Sequence, residues 1–255
     1  MDLKSMKSKI NLFLFTLLLL WKSTYSAFSQ VETKQLLWYG YTFSADLSPR
    51  WFHETEVMER HTINPFEQSQ FLIRTRFHKK LNQKMNLGFG GSLFLFHKQG
   101  SNTQPPFTQP ELRPHGEFNL RSSLGSVAIE NRWRGELRFF QNINLPMTEL
   151  QEGYHYSAAR FRYKLQTIFS LAKLAETKTL RLKLANEVMA VAGGRMEKIT
   201  FDQNRISADL SMEISSKISL DLGYVNWYQA KSSGGFLEQH IVRSVLKHQL
   251  SSSKR

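Results

Sequence analysis

The chain has 255 residues, of which 41% are hydrophobic and 22% charged, and this fits one large globular domain or two small ones. It has no cysteine, which excludes a disulfide framework and a thiolate metal site. Its 34 Lys and Arg residues against 21 Asp and Glu give a net charge of +13, which is typical of proteins that meet nucleic acid, anionic lipid or acidic solutes.

Residues 1–29 are predicted to be a cleaved signal peptide. Three lysines precede an apolar run at residues 10–21, and the small residues Ala27 and Ser29 come just before a cleavage point after Ser29. A transmembrane anchor is the alternative, but the run is shorter than the ~20 apolar residues that a spanning helix needs. The sequence therefore predicts an exported protein whose mature domain is residues 30–255.

The mature chain alternates apolar and polar residues through most of its length. This period of two runs through residues 70–81, 111–121, 127–140, 158–169 and 179–191. In the segment ENRWRGELRFF, residues 130–140, charged residues occupy every second position up to residue 138, and Trp133, Leu137 and Phe139 lie between them. A period of two indicates β-strands whose two faces meet different surroundings.

Short and long connections alternate between these segments. Short turns are predicted at residues 47–49, 82–83, 122–125, 172–178 and 215–217, and longer loops at residues 61–68, 98–110, 141–153, 193–204 and 230–235. This pattern indicates an all-β fold, an antiparallel up-and-down transmembrane β-barrel of about 10–12 strands. We count eleven strands, whereas single-chain bacterial barrels have even numbers. A further strand within residues 193–204, or a return of residues 30–34 through the interior, would resolve the difference.

The alternation does not say which face of the barrel points inward. A soluble periplasmic binding barrel would place its apolar face inside, and a membrane barrel would reverse this. Three observations favour the membrane barrel: the export signal, the length of the strand at residues 127–140, and aromatic residues near strand ends. The aromatic residues predicted to form these girdles are Trp38, Tyr39, Trp51, Phe52, Phe139, Phe140, Tyr154, Tyr156, Trp227 and Tyr228.

Three short motifs occur in order along the chain: RxRxExRFF at residues 132–140, FDQNR at residues 201–205, and LGY at residues 222–224. Together they resemble the bacterial outer-membrane family catalogued as domain of unknown function 2490 (DUF2490), over essentially the whole mature chain. The resemblance implies a barrel in the outer membrane of a Gram-negative cell, with no established activity. Such barrels usually end on an aromatic residue that the insertion machinery reads, whereas this chain has Leu250 followed by five polar residues.

In a membrane barrel the charged faces would line the lumen. The predicted lumen-lining residues are Arg74, Arg76, Arg113, His115, Glu117, Glu130, Arg132, Arg134, Glu136, Arg138, Arg160, Arg162, Arg181, Lys183, Glu187 and Arg205. One interpretation is that opposite charges on adjacent strands pair and fill a narrow barrel. The other is that the surplus of basic residues makes a narrow, porin-like pore that prefers small anions or acidic oligosaccharides.

The other expected partners are outer-membrane lipid and, during biogenesis, the outer-membrane insertion machinery. No nucleic-acid partner is predicted, because the basic residues form neither a compact patch on a helix nor an aromatic and basic platform. The long loops, including residues 99–112, are the expected place for an external ligand. The polar run at residues 202–205 is predicted to form a turn from which Arg205 enters the lumen.

An outer-membrane lipase or deacylase is the enzymatic alternative. Such chemistry needs a serine, a histidine base and an orienting acid within hydrogen-bond reach. Ser92, Ser207, His115 and Glu117 take inward positions, but no local motif joins a serine to a histidine. We therefore predict no catalytic residues, no cofactor and no metal site, since the histidines show no metal-binding spacing.

Overall fold

A computed structural model describes residues 31–98, 106–144, 149–175, 178–194, 196–231 and 234–250. These residues form eleven β-strands: β1 (Val31–Asp46), β2 (Trp51–Thr62), β3 (Glu67–Lys80), β4 (Met85–Lys98), β5 (Phe107–Leu124), β6 (Val127–Ile143), β7 (Leu150–Ala175), β8 (Lys178–Gly193), β9 (Met196–Glu213), β10 (Ile218–Ala230) and β11 (Phe236–Leu250). The predicted signal peptide lies outside the described residues. Within them, no helix is long and apolar enough to cross a membrane.

The strands close into a single barrel. Each strand pairs in antiparallel fashion with the next along the chain, and β1 lies beside β11. Because the strand number is odd, β1 and β11 run in the same direction, so the closing pair is parallel. Side chains bridge this seam, where Tyr41 Oη lies 2.9 Å from His248 Nδ1.

The predicted all-β barrel and its strand number are confirmed, but the expected even number is wrong for the described residues. Residues 31–34 continue β1 as exposed strand and do not return through the interior. Residues 196–204 belong to β9 and add no separate strand. Because β1 and β11 pair in parallel, the barrel closes with eleven strands and needs no twelfth strand.

The barrel has two ends, named here by their connections. The loop end carries the start of β1 and the connections after β2, β4, β6, β8 and β10. The turn end carries the end of β11 and the connections after β1, β3, β5, β7 and β9. Leu250 is the last residue of β11 and lies at the turn end.

Several strands extend into segments that were predicted to be loops. β5 begins at Phe107, β7 begins at Leu150, and β9 begins at Met196. Residues 202–205 likewise lie within β9, not in a turn, and the register between β8 and β9 shifts near Asp202. At the start of β7 the prediction failed because residues 150–156 are exposed on both faces, so the alternation fades although backbone pairing continues.

The side chains are arranged with charges inward and apolar groups outward. In β5 the inward residues Glu111, Arg113 and Glu117 are buried, whereas Leu112 on the opposite face is 40% exposed. The same exposure holds around the barrel for the apolar side chains of Ile73, Phe77, Leu87, Phe89, Trp133, Leu137, Phe161, Leu165, Leu184, Val188, Ile206, Leu210, Leu222, Val242 and Leu246. A soluble barrel with an apolar interior and a charged surface would have the reverse arrangement.

Candidate functional site

All sixteen predicted lumen-lining residues lie on inward faces of the strands. Ten of them are buried, and Glu130, Arg132, Arg138, Arg181, Lys183 and Arg205 are partly buried. The alternation thus placed every one of these side chains inside the barrel. Which of them meet each other, and which meet open space, depends on the register between strands.

A continuous ionic network joins the inward faces of β5, β6, β7 and β8. Arg132 donates to Glu187 (2.7 Å), which also accepts from Arg162 (2.9 Å). Arg162 donates in turn to Glu136 (2.7 Å). Glu136 lies 4.0 Å from Arg113, whose guanidinium is bound by both oxygens of Glu111 at 2.7 Å. Glu111 accepts from Arg138 as well, at 2.6 Å.

The network continues to β3 and β2. Arg134 donates through Nε to Glu117 at 2.7 Å, and Glu117 lies 3.9 Å from Arg76. Arg76 forms an ion pair with Glu54, and Arg74 donates to Glu56 at 3.0 Å. Glu54 and Glu56 had not been included among the predicted lumen residues. Their spacing of two on β2 was the signal that could have found them.

Three further predicted residues form ion pairs outside this network. Arg160 lies 2.8 Å from Asp202, Arg181 donates to Glu213 at 2.6 Å, and Lys183 donates to Asp221 at 3.0 Å. The predicted residue Glu130 accepts from Arg121 at the turn end. Many of the interior basic side chains thus contact a carboxylate directly, which agrees with the packing interpretation.

An apolar cluster fills the other side of the interior, towards the loop end. It contains Leu36, Trp38, Met58, Leu72, Phe94, Val225, Trp227, Ile241 and Val245, each at most 7% exposed. We call it the inner apolar cluster. The expectation that Trp38, Trp227 and Phe52 form outward girdles is wrong, since the two indoles are buried and Phe52 stacks on buried His78. β1 and β10 carry apolar residues on both faces, and this signal could have predicted an apolar interior.

A cavity of about 1010 Å³ occupies the interior on the turn side of this cluster. It extends from turn residues, including Ser126 and Ser215, to Trp38 and Met58. Thirteen basic and seven acidic side chains line it. A second cavity of about 720 Å³ adjoins it near the turn after β3, and Lys164 lines both.

The residues weighed for catalysis have other partners. Ser92 Oγ accepts a hydrogen bond from Arg74 Nε at 3.0 Å, and His115 Nδ1 lies 3.1 Å from the carbonyl oxygen of Arg113. Ser207 lines the larger cavity. In the described part of the chain, no group of three or more His, Asp or Glu residues is arranged to hold a metal ion.

The fold and the arrangement of its side chains place this protein in the class of closed all-β barrels, with a charged interior and an apolar outer face. Its sequence matches the family model described as "Protein of unknown function (DUF2490)" over residues 35–239. The chain therefore belongs to the DUF2490 family. Comparison with curated proteins gives no match.

Proposed function

We propose that this protein is an integral outer-membrane β-barrel with an anion-preferring interior. The observation that supports this most directly is the outward face, where large apolar side chains are exposed on every described strand except β2. In water such a surface would promote aggregation, whereas in a bilayer it meets lipid and the closed sheet leaves no unpaired edge. The predicted signal peptide supplies the route of export.

The polar exceptions on the outer face are compatible with lipid contact. Asn131 lies among apolar neighbours, and its Oδ1 accepts a hydrogen bond from Tyr163 Oη at 2.8 Å. Among other outward positions, Gly135 adds no polar side chain, Asn186 donates to Asn204 at 3.2 Å, and His53 Nε2 lies 2.8 Å from Thr75 Oγ1. A satisfied amide costs much less to place against hydrocarbon than an unpaired one.

The proposed interior favours anions at its turn side and restricts their passage at its loop side. More basic than acidic side chains line the cavity. This excess of positive charge raises the local concentration of small anions that enter from the turn end. At the loop side the inner apolar cluster fills the interior, because its residues are almost fully buried. Continuous conduction therefore requires this cluster to move, and the resting protein should conduct little.

Fractionation tests the membrane location. Mature protein should sediment with detergent-extractable outer membrane and migrate faster on gels when unheated than when boiled, since folded membrane barrels resist detergent. Recovery in the periplasmic fraction as a soluble species would refute the proposal.

Planar bilayer recording tests whether the interior is closed at rest and whether it prefers anions once opened. The wild-type protein should show few or no conductance steps, and Trp38→Ala combined with Trp227→Ala should produce steps with an anion-selective reversal potential. In that background, Lys164→Glu should shift the potential towards cations, because Lys164 lines the cavity, donates to the neutral amide of Gln166 and forms no ion pair with a described carboxylate. Arg134 and Arg138 are poor positions for this reversal, since both are bound to carboxylates within the network. Large wild-type steps, or cation selectivity of the opened variant, would refute an anion-preferring closed interior.

A further inference from the structure

Four buried N–H donors, on side chains that pack together near the inner end of the larger cavity, have no acceptor among the described residues. They are Nε of Arg60, Nε of Arg205, and the indole Nε1 atoms of Trp38 and Trp227. Buried donors in folded proteins are normally paired. Arg76, Arg132 and Arg160 also have an unpaired Nε, but each of these arginines forms an ion pair. Two of the four donors belong to cations.

The four side chains form one compact group. The guanidinium of Arg60 lies 4.0 Å from the ring centroid of Trp38, and that of Arg205 lies 4.1 Å from Trp227. Arg205 is also 5.6 Å from the Trp38 ring, and the two indoles pack edge to face at 5.7 Å. Both cations therefore lie beside the same indole, and we call this group the Arg–Trp cluster.

Arg60 and Arg205 differ from the other interior arginines in their partners. The network arginines are bound to carboxylates, whereas Arg60 donates to the amide oxygen of Gln70 (2.8 Å) and Arg205 to that of Gln203 (2.9 Å). Neither forms an ion pair with a described carboxylate. Removing a guanidinium from bulk water is costly without a counter-charge, and stacking on indole offsets only part of that cost.

Three of the four side chains of the Arg–Trp cluster border the cavity, although their unpaired donor atoms are buried. Trp38, Arg60 and Arg205 line the space of about 1010 Å³ together with Met58 and Val225. Since one water occupies roughly 30 Å³ in the liquid, the cavity has room for a small anion with much of its hydration. Basic residues nearer the turn end would guide an anion inward.

We propose that the Arg–Trp cluster is a specific binding site for a small oxyanion of the carboxylate or phosphate type. Such an ion carries only acceptors on its charged oxygens and matches the edge of a guanidinium, so it can accept from both cations and from the indole N–H groups. The site deepens the proposed anion-preferring interior and rests on it for the route of entry. Binding is measurable without conduction or membrane location, so the two proposals can fail separately.

The test is calorimetric titration of refolded mature protein in a non-ionic detergent with inorganic phosphate and, separately, with acetate at constant ionic strength. The wild-type protein should show saturable binding of at least one probe at a single site. Arg60→Gln and Arg205→Gln should each weaken it by about 10-fold or more, because each removes charge-assisted hydrogen bonds. Trp38→Phe keeps the aromatic ring, removes one donor, and should weaken binding less.

Lys247→Gln is the matched control. It removes one positive charge from the same cavity, and its partner Asp221 keeps the ion pair with Lys183. Binding should change less than about 2-fold in this variant, since a single distant charge is largely screened. Arg205→Lys retains the charge, and its binding should lie between those of wild type and Arg205→Gln.

Two results would refute the proposal that the Arg–Trp cluster is a specific anion-binding site. One is no saturable binding of either probe to protein that is shown to be folded by heat-modifiable migration. The other is equal weakening in Lys247→Gln and in the two arginine variants, which would mean a diffuse attraction by the whole cavity. The ratio of phosphate to acetate affinity in the wild type identifies the preferred oxyanion class.

Discussion

Glu111→Gln should be among the most destabilising single-atom changes in the interior. The Glu111 side chain has no exposed surface and binds two guanidinium groups, those of Arg113 and Arg138. The substitution keeps the size of the side chain but removes its charge and converts one acceptor oxygen into a donor. Two buried cations then lose their shared counter-charge.

The expected cost is about 3–5 kcal/mol, which is typical when one partner of a buried ion pair is removed. Glu130→Gln provides the matched comparison. It makes the same chemical change in a residue that also binds an arginine, but the Glu130 side chain is 30% exposed and that of its partner Arg121 is 68% exposed. An exposed pair contributes only about 0–1 kcal/mol.

Urea unfolding in lipid vesicles, followed by tryptophan fluorescence, measures both variants against the wild type. The urea concentration at half unfolding should fall much further for Glu111→Gln than for Glu130→Gln. The dependence of the unfolding free energy on urea concentration should be similar in both variants. If the two variants differ by less than about 1 kcal/mol, burial does not strengthen the pairs of this interior. The interior at Glu111 would then be hydrated, and the packing interpretation of the ionic network would be wrong.

Other parts of the barrel give three further predictions. Leu165→Arg should lower stability in vesicles by about 2–4 kcal/mol, measured by urea titration, because an outward arginine would meet hydrocarbon; a loss no greater than that of Leu165→Ala would contradict this. Gly90→Ala should reduce the heat-resistant folded fraction on gels, since a Cβ there would meet backbone of β3, whereas Gly91→Ala has open space and should fold normally. Tyr163→Phe should cost about 1–3 kcal/mol in vesicles by leaving Asn131 unpaired, and a smaller loss in Asn131→Leu than in Tyr163→Phe would support that cause.

The sequence predicted the barrel well because alternation is a local property of each strand. Residues such as Arg162 and Glu187 had to share the charged face of their strands, whatever the fold around them. The alternation alone could not choose between charges inside and charges outside, since both barrels give the same binary pattern; the export signal, strand length and aromatic residues favoured charges inside. That choice became visible only from exposure, such as that of Leu112 against buried Arg113.

Two features of the candidate site could not be predicted from the sequence. Pairings such as Arg132 with Glu187 depend on register across β6, β7 and β8, which the length of the turns alone does not fix. The inward position of Trp38 and Trp227 was missed for another reason. Where both faces of a strand are apolar, as in β1 and β10, alternation no longer separates inside from outside, and the aromatic residues were assigned to an interface.

The interior is divided between two kinds of packing, and this division bears on what the protein can do. The ionic network ties β2, β3 and β5–β8 to one another through carboxylates shared between arginines, such as Glu187 and Glu111. The inner apolar cluster joins β1, β10 and β11 to β2, β3 and β4, and so packs across the parallel seam. The Arg–Trp cluster lies where these two regions meet, at the end of the cavity. An anion bound there would supply the counter-charge that the network supplies elsewhere, so ligand binding should also stabilise the fold by mass action.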